Sequence, residues 1–69
     1  MDGIYIVRPH LVGYGFDVAT KFFIKEEAEK YANKEVKSIN VDFVRIYSFI
    51  PNYTNGQLVL ANTYDITQK

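Results

Sequence analysis

The stretch DFVRIYSFIPNYTNGQLVLANTYDI, Asp42–Ile66, decides the fold. Its first part, Asp42–Ile50 (DFVRIYSFI), is dense in β-branched and aromatic residues. It reads as a strand ended by Pro51, because proline has no N–H to give to a sheet ladder. Gln57–Ile66 (QLVLANTYDI) reads as the strand that returns beside it. Asn55-Gly56 between them is the strongest short hairpin signal in the chain, the mark of a two-residue type I′ turn with φ > 0 at both central positions.

A strand with one wet face alternates apolar and polar residues. Asp42–Ile50 does not: Val44, Ile46 and Ile50 point one way, and Phe43, Tyr47 and Phe49 the other, with Arg45 among them. A two-residue turn sets Tyr47 opposite Tyr64 and Phe49 opposite Asn62, and brings Leu58 and Leu60 to the aromatic side. Both faces of the sheet are then apolar.

Only one helix is available to cover them. Lys25–Lys37 (KEEAEKYANKEVK) carries Ala28, Tyr31, Ala32 and Val36 at helical spacing, with Ile24 just before it. Glu26, Glu27 and Glu29 sit early and Lys34 and Lys37 late, which suits the helix dipole. Ile24 offers no side-chain acceptor as an N-cap. Upstream, Gly3–Arg8 (GIYIVR) reads as a first strand stopping at Pro9. Phe16–Phe23 (FDVATKFF) reads as a second, with Phe16, Val18, Thr20 and Phe22 on one side. The LVGYGFD segment between them, Leu11–Asp17, reads as a turn in which Gly13 and Gly15 are free to take φ > 0. Its resemblance in letters to a potassium-channel filter is coincidental, since a filter needs membrane helices around it. The expected fold is a single small α+β domain over 1–69: a mainly antiparallel sheet of about four strands with one helix, ββαββ.

Composition narrows the chemistry. With no cysteine and one histidine in 69 residues, disulfides and cysteine-ligated metals are excluded, and no metal or cofactor is expected. Eight basic and eight acidic residues cancel, which disfavours nucleic acid as a partner. No apolar run approaches the ~20 residues that cross a bilayer, and the first residues lack the pattern of a secretion signal, so a cytoplasmic location and no membrane partner are expected. Six Tyr and five Phe supply the core of a chain this short, or a contact surface.

His10 is the one candidate catalytic base, with Asp17 able to approach across the hairpin and Tyr14 as a donor. No nucleophile accompanies them, and no catalytic residue is assigned. Gly13-Tyr14-Gly15 fails the dinucleotide fingerprint, because valine occupies position 18 and no helix follows directly.

The run Tyr5-Ile6-Val7, a strand ending Lys21-Phe22-Phe23, and then Lys25-Glu26-Glu27-Ala28-Glu29-Lys30-Tyr31-Ala32 resembles small uncharacterised proteins of phages and prophages of Gram-positive bacteria. In those a hairpin runs into a helix through a phrase like F-x-x-K-E-E-A-E-K-Y-A. The resemblance covers the first half of the chain, through Lys37. Ile24 departs from it where the pattern has a capping Ser or Thr. It implies a class of activity, the binding and blocking of a host protein such as an anti-phage defence component, in the host cytoplasm, and transfers no residue role.

The expected function is that of a non-enzymatic interaction module whose partner is another protein, a host protein or a second copy of itself in a homo-oligomer. The expected contact residues are Phe43, Arg45, Tyr47 and Tyr64, with Tyr14 and Phe16 at the rim. Addition of a partner strand to a sheet edge is the competing mode. The alternative function is single-stranded nucleic-acid binding, with bases stacked on the same aromatics.

Overall fold

The computed structural model describes residues 3–52 and 54–67. In chain order the elements are β1 (Ile4–Leu11), β2 (Gly15–Phe16), β3 (Thr20–Phe22), α1 (Lys25–Glu35), β4 (Val41–Pro51) and β5 (Leu58–Thr67). They build one five-stranded antiparallel sheet in the order β2-β1-β4-β5, with β3 continuing after β2 along the same edge of β1. The α+β class with a single helix is as expected, but the second strand is broken in two and the first runs through Pro9 to Leu11.

Pro9 accounts for both departures. In an antiparallel ladder a residue's N–H and C=O face the same neighbour. The Pro9 carbonyl accepts the Asp17 N–H at 2.8 Å, so the donor that proline lacks faces the same outer edge. There the partner strand is interrupted between β2 and β3. The Asp17 carbonyl, left without a ladder donor, takes a hydrogen bond from Arg8 Nε at 3.3 Å. On its other side β1 pairs with β4 in one register from Ile4 to His10, Pro9 opposite Val44, and the register shifts only between His10 and Leu11, where Asp42 is the extra residue. Across the gap the register slips: His10 faces Phe16 in β2, whereas Val7 faces Thr20 in β3. Such a slip turns side chains over. Phe16 therefore lies on the face of His10 and Phe22 on the face of Tyr5, not on one side as the sequence pattern implied.

The helix starts at Lys25 as expected and ends at Glu35, with Val36 as its C-cap. Ile24 contributes no side-chain cap, so Glu26 and Glu27 in the first turn and Lys34 in the last provide the polar support. Ala28 and Ala32 are fully buried and Val36 nearly so. Such small side chains let the helix lie close on Val7, Val44 and Ile46, which complete the core with Val41. Tyr5, Leu11, Phe22, Tyr31, Tyr64 and Ile66 pack around it.

The β4–β5 hairpin turns more widely than a two-residue type I′ turn. Asn52 donates its N–H to the Gln57 carbonyl at 2.7 Å, so the connection is longer than two residues. Gly56 has φ +73°, and no described non-glycine residue has positive φ, Asn55 included. The Asn52 and Asn55 side chains accept the N–H groups of Thr54 and Gln57 at 2.9 and 3.0 Å. Further along, Phe49 faces Leu60 while Ser48 faces Asn62, which leaves Ala61 as the extra residue of a bulge. On the turn side of Ala61, Leu58 and Leu60 share the face of Phe49, as expected. Beyond it, Tyr47 faces Thr63 and Ile46 faces Tyr64. The expected pairs Tyr47–Tyr64 and Phe49–Asn62 are not formed, and Tyr64 belongs to the helix side.

Candidate functional site

α1 covers the face of Val44 and Ile46, and no described element crosses the other face. The half of this open face next to the Leu11–Asp17 loop is an aromatic–guanidinium cluster. The His10 ring stacks on Phe43 with centroids 4.6 Å apart and planes at 10°. Phe16 meets both edge-on, 4.9 Å from His10 and 5.9 Å from Phe43. The Arg45 guanidinium lies 5.2 Å from the ring centres of Phe16 and Phe43, and Arg8 lies 5.1 Å from that of Phe16. These are cation–π distances.

One ion pair and one histidine–carboxylate contact hold this cluster. Arg45 donates to both carboxylate oxygens of Asp65, Nε at 2.8 Å and Nη2 at 3.1 Å, the two-pronged geometry that only arginine offers. The hydrogen bond from Arg45 holds the Asp65 carboxyl below its ordinary range, and the same bond raises Arg45 above its own. His10 Nδ1 lies 2.8 Å from Asp42 Oδ1. Asp42, not Asp17, is thus the carboxylate beside the only histidine, because the proline gap carries Asp17 away to the backbone of Pro9 and the side chain of Arg8.

The other half is apolar. Ile6, Arg8, Ala19, Tyr47 and Phe49 line a shallow depression of about 430 Å³. It continues into a second of about 380 Å³, where Ile4, Lys21 and Leu58 join Ile6 and Phe49. Leu60, opposite Phe49, is 54% exposed.

Of the six contact residues expected from sequence, Phe16, Phe43, Arg45 and Tyr47 meet on this face. Tyr64 and Tyr14 do not. Tyr14 projects from the turn and is 89% exposed. That turn is built as expected, with Gly13 at φ +82° and Gly15 at +92°, and with the Tyr14 N–H given to the Leu11 carbonyl at 3.1 Å.

Tyr64 ties the sheet to the helix from behind, donating its hydroxyl proton to Glu29 Oε2 at 2.8 Å. Burial, together with that bond to a carboxylate, pushes the Tyr64 phenol up to about 12. An acid held protonated in the fold stabilises it below the free phenol's pKa of about 10 and loses that contribution as pH rises through about 12. Tyr64→Phe is expected to cost about 1 kcal/mol at pH 8. The variant should approach the parent in stability near pH 12, read by urea unfolding at the two pH values.

Ile4, Ile6 and Arg8 were missed as members of the face, although GIYIVR places them at alternate positions. What was missing was the partner. The pairing of β1 with β4, Ile6 opposite Tyr47 and Arg8 opposite Arg45, brings them beside the aromatics.

No family model, curated protein or solved structure matches the chain. The functional reading rests on the chemistry of the face itself.

In the cluster Arg45 is engaged by Asp65 and His10 by Asp42, and the apolar half offers surface whose removal from water is worth about 25 cal/mol per Å². Among the described residues no group of three or more His, Asp or Glu is placed to hold a metal ion. No helix among them is long and apolar enough to cross a membrane. The sheet edges are less inviting than the face. On β5 the Ala61 bulge interrupts the ladder and the Thr63 N–H is taken at 2.9 Å by the Asn62 side chain, so it is not offered to another strand. On the opposite edge β2 and β3 are short and separated.

Proposed function

We propose that this chain is a non-enzymatic protein-interaction module that docks through its open sheet face and acts by covering part of its target. One observation carries the reading: Ile4, Ile6, Tyr47, Phe49, Leu58 and Leu60 form an apolar tract on a face that no described element covers. Large apolar tracts left open mark contact sites, and Tyr, Phe and Arg are the residues enriched in interface cores. The neighbouring cluster is held by the Arg45–Asp65 ion pair, the His10–Asp42 contact and stacked rings, so little side-chain freedom is lost on docking. The resemblance of the first half to small phage proteins supports one kind of target, a host protein such as an anti-phage defence component, blocked sterically.

The test is capture from a lysate of the source organism by the tagged chain, with and without nuclease, read by mass spectrometry. One stoichiometric protein that survives nuclease is expected, and its recovery should fall at least ~10-fold with the Tyr47→Ala, Phe49→Ala double variant. Capture that vanishes with nuclease would favour base stacking on the aromatics instead. Capture indifferent to the double variant would remove the face from the proposal.

A further inference from the structure

The charges around the apolar tract are lopsided. Arg45 is matched by Asp65, and His10 lies against Asp42. Arg8 and Lys21 make no ion pair among the described residues. Both stand on the open face: Lys21 lies opposite Ile6 in the register, and Arg8 is the next residue of β1 on that side. They line the tract along its β1–β3 flank, each at the wall of one depression. The opposite flank, Leu58 and Leu60 on β5, carries no charge.

Arg8 is also aimed. Its Nε is engaged by the Asp17 carbonyl and its guanidinium lies over Phe16, which fixes the plane of the group and leaves its terminal nitrogens for a ligand. A fixed guanidinium edge is suited to a carboxylate.

Resting on the docking function proposed above, we infer that the partner presents an acidic apolar protein segment to this face. Its apolar side chains lie between Ile6, Tyr47, Phe49 and Leu58, and its carboxylates meet Arg8 and Lys21. A neutral apolar partner would strip water from two cations and give them nothing in return, a cost that cancels much of the gain from apolar contact. A second copy of the chain is disfavoured for the same reason. Its own open face would add two more cations that make no ion pair among the described residues, while its Asp65 is committed to Arg45. Nucleic acid also carries negative charge. However, the rings of Phe16 and Phe43 are already covered by His10 and the arginines, and the rest of the tract is largely aliphatic.

The experiment is selection of a displayed library of random linear peptides against the full chain. The winners are then measured against Lys21→Glu, Arg8→Glu and Phe49→Ser. Expected winners combine Leu, Ile or Phe with Asp or Glu, bind less tightly as salt rises, and lose about 10-fold in affinity with either charge reversal. Lys21 is exposed and has no side-chain hydrogen bond among the described residues, so its reversal stays readable if Arg8→Glu fails to fold. Winners without acidic residues, or acidic winners indifferent to both reversals, would overturn this inference. If Phe49→Ser still abolished their binding, the docking face itself would stand. Absence of winners, or winners indifferent to Phe49→Ser as well, would overturn both. A single-stranded oligothymidine that outcompetes every acidic peptide for the face would also overturn the inference.

Discussion

Ile46→Ala is expected to lower the unfolding free energy by about 2–5 kcal/mol, the range for truncating a fully buried aliphatic side chain to alanine. Ile46 is the largest of the fully buried side chains, ahead of Val7 and Val44. The helix above it presents Ala28 and Ala32, which are too short to collapse into the space left behind. A chain of 69 residues has a total stability of roughly 3–10 kcal/mol, so the variant loses a large fraction of it. Urea unfolding followed by far-ultraviolet circular dichroism reads the change, with Ile46→Val as a milder companion at about 1 kcal/mol. A loss below about 1 kcal/mol for the alanine variant would contradict a core centred on this residue.

Gly3→Ala is expected to do comparable damage by the opposite route. A Cβ at Gly3 would sit 1.8 Å from the Phe49 carbonyl oxygen and 2.9 Å from its carbon. Both obstacles are backbone, so neither can swing aside as the end of a flexible side chain would. The first residues of β1 must then pull away from β4, at a cost of at least about 3 kcal/mol, the upper end for overpacking a close contact. Phe49 belongs to the proposed docking face, so partner capture should fall together with stability. Hydrogen exchange would locate the effect at the Ile4–Phe49 end of the sheet. A variant as stable as the parent would show that this close approach does not exist.

The helix was readable from sequence because its signal is local: the spacing of Ala28, Ala32 and Val36 and the early glutamates are all contained in one segment. The two-sided apolar character of β4 was readable for the same reason. What escaped depended on pairing. Nothing in Leu60-Ala61-Asn62 marks a bulge, yet that one extra residue sends Tyr64 behind the sheet and Asp65 in front of it. Asn55-Gly56 predicts a tight turn on local preference. The wider connection instead satisfies the Thr54 and Gln57 N–H groups with asparagine side chains, and the register moves with it. Pro9 looked like a strand end because proline removes a ladder donor. That donor is needed on one side only, and the chain leaves its gap on that side, eight residues further on. The candidate surface was half readable for the same reason: Phe43, Arg45 and Tyr47 come from one strand, while Arg8 and Lys21 join them only through the sheet.

The central place of β1 also bears on the order of assembly. It is the first strand in the chain, yet its long partner β4 lies beyond the helix. To pair, β1 and β4 must close a long loop through β2, β3 and the helix, whereas β4 and β5 are joined by a short turn. Distant pairings of this kind are the slow ones. In refolding of the full chain, β1 is expected to gain amide protection after the β4–β5 hairpin, which pulse-labelling hydrogen exchange would read. Until then β4 shows a bare edge rich in valine, isoleucine and phenylalanine, and this interval is when the chain is most exposed to aggregation.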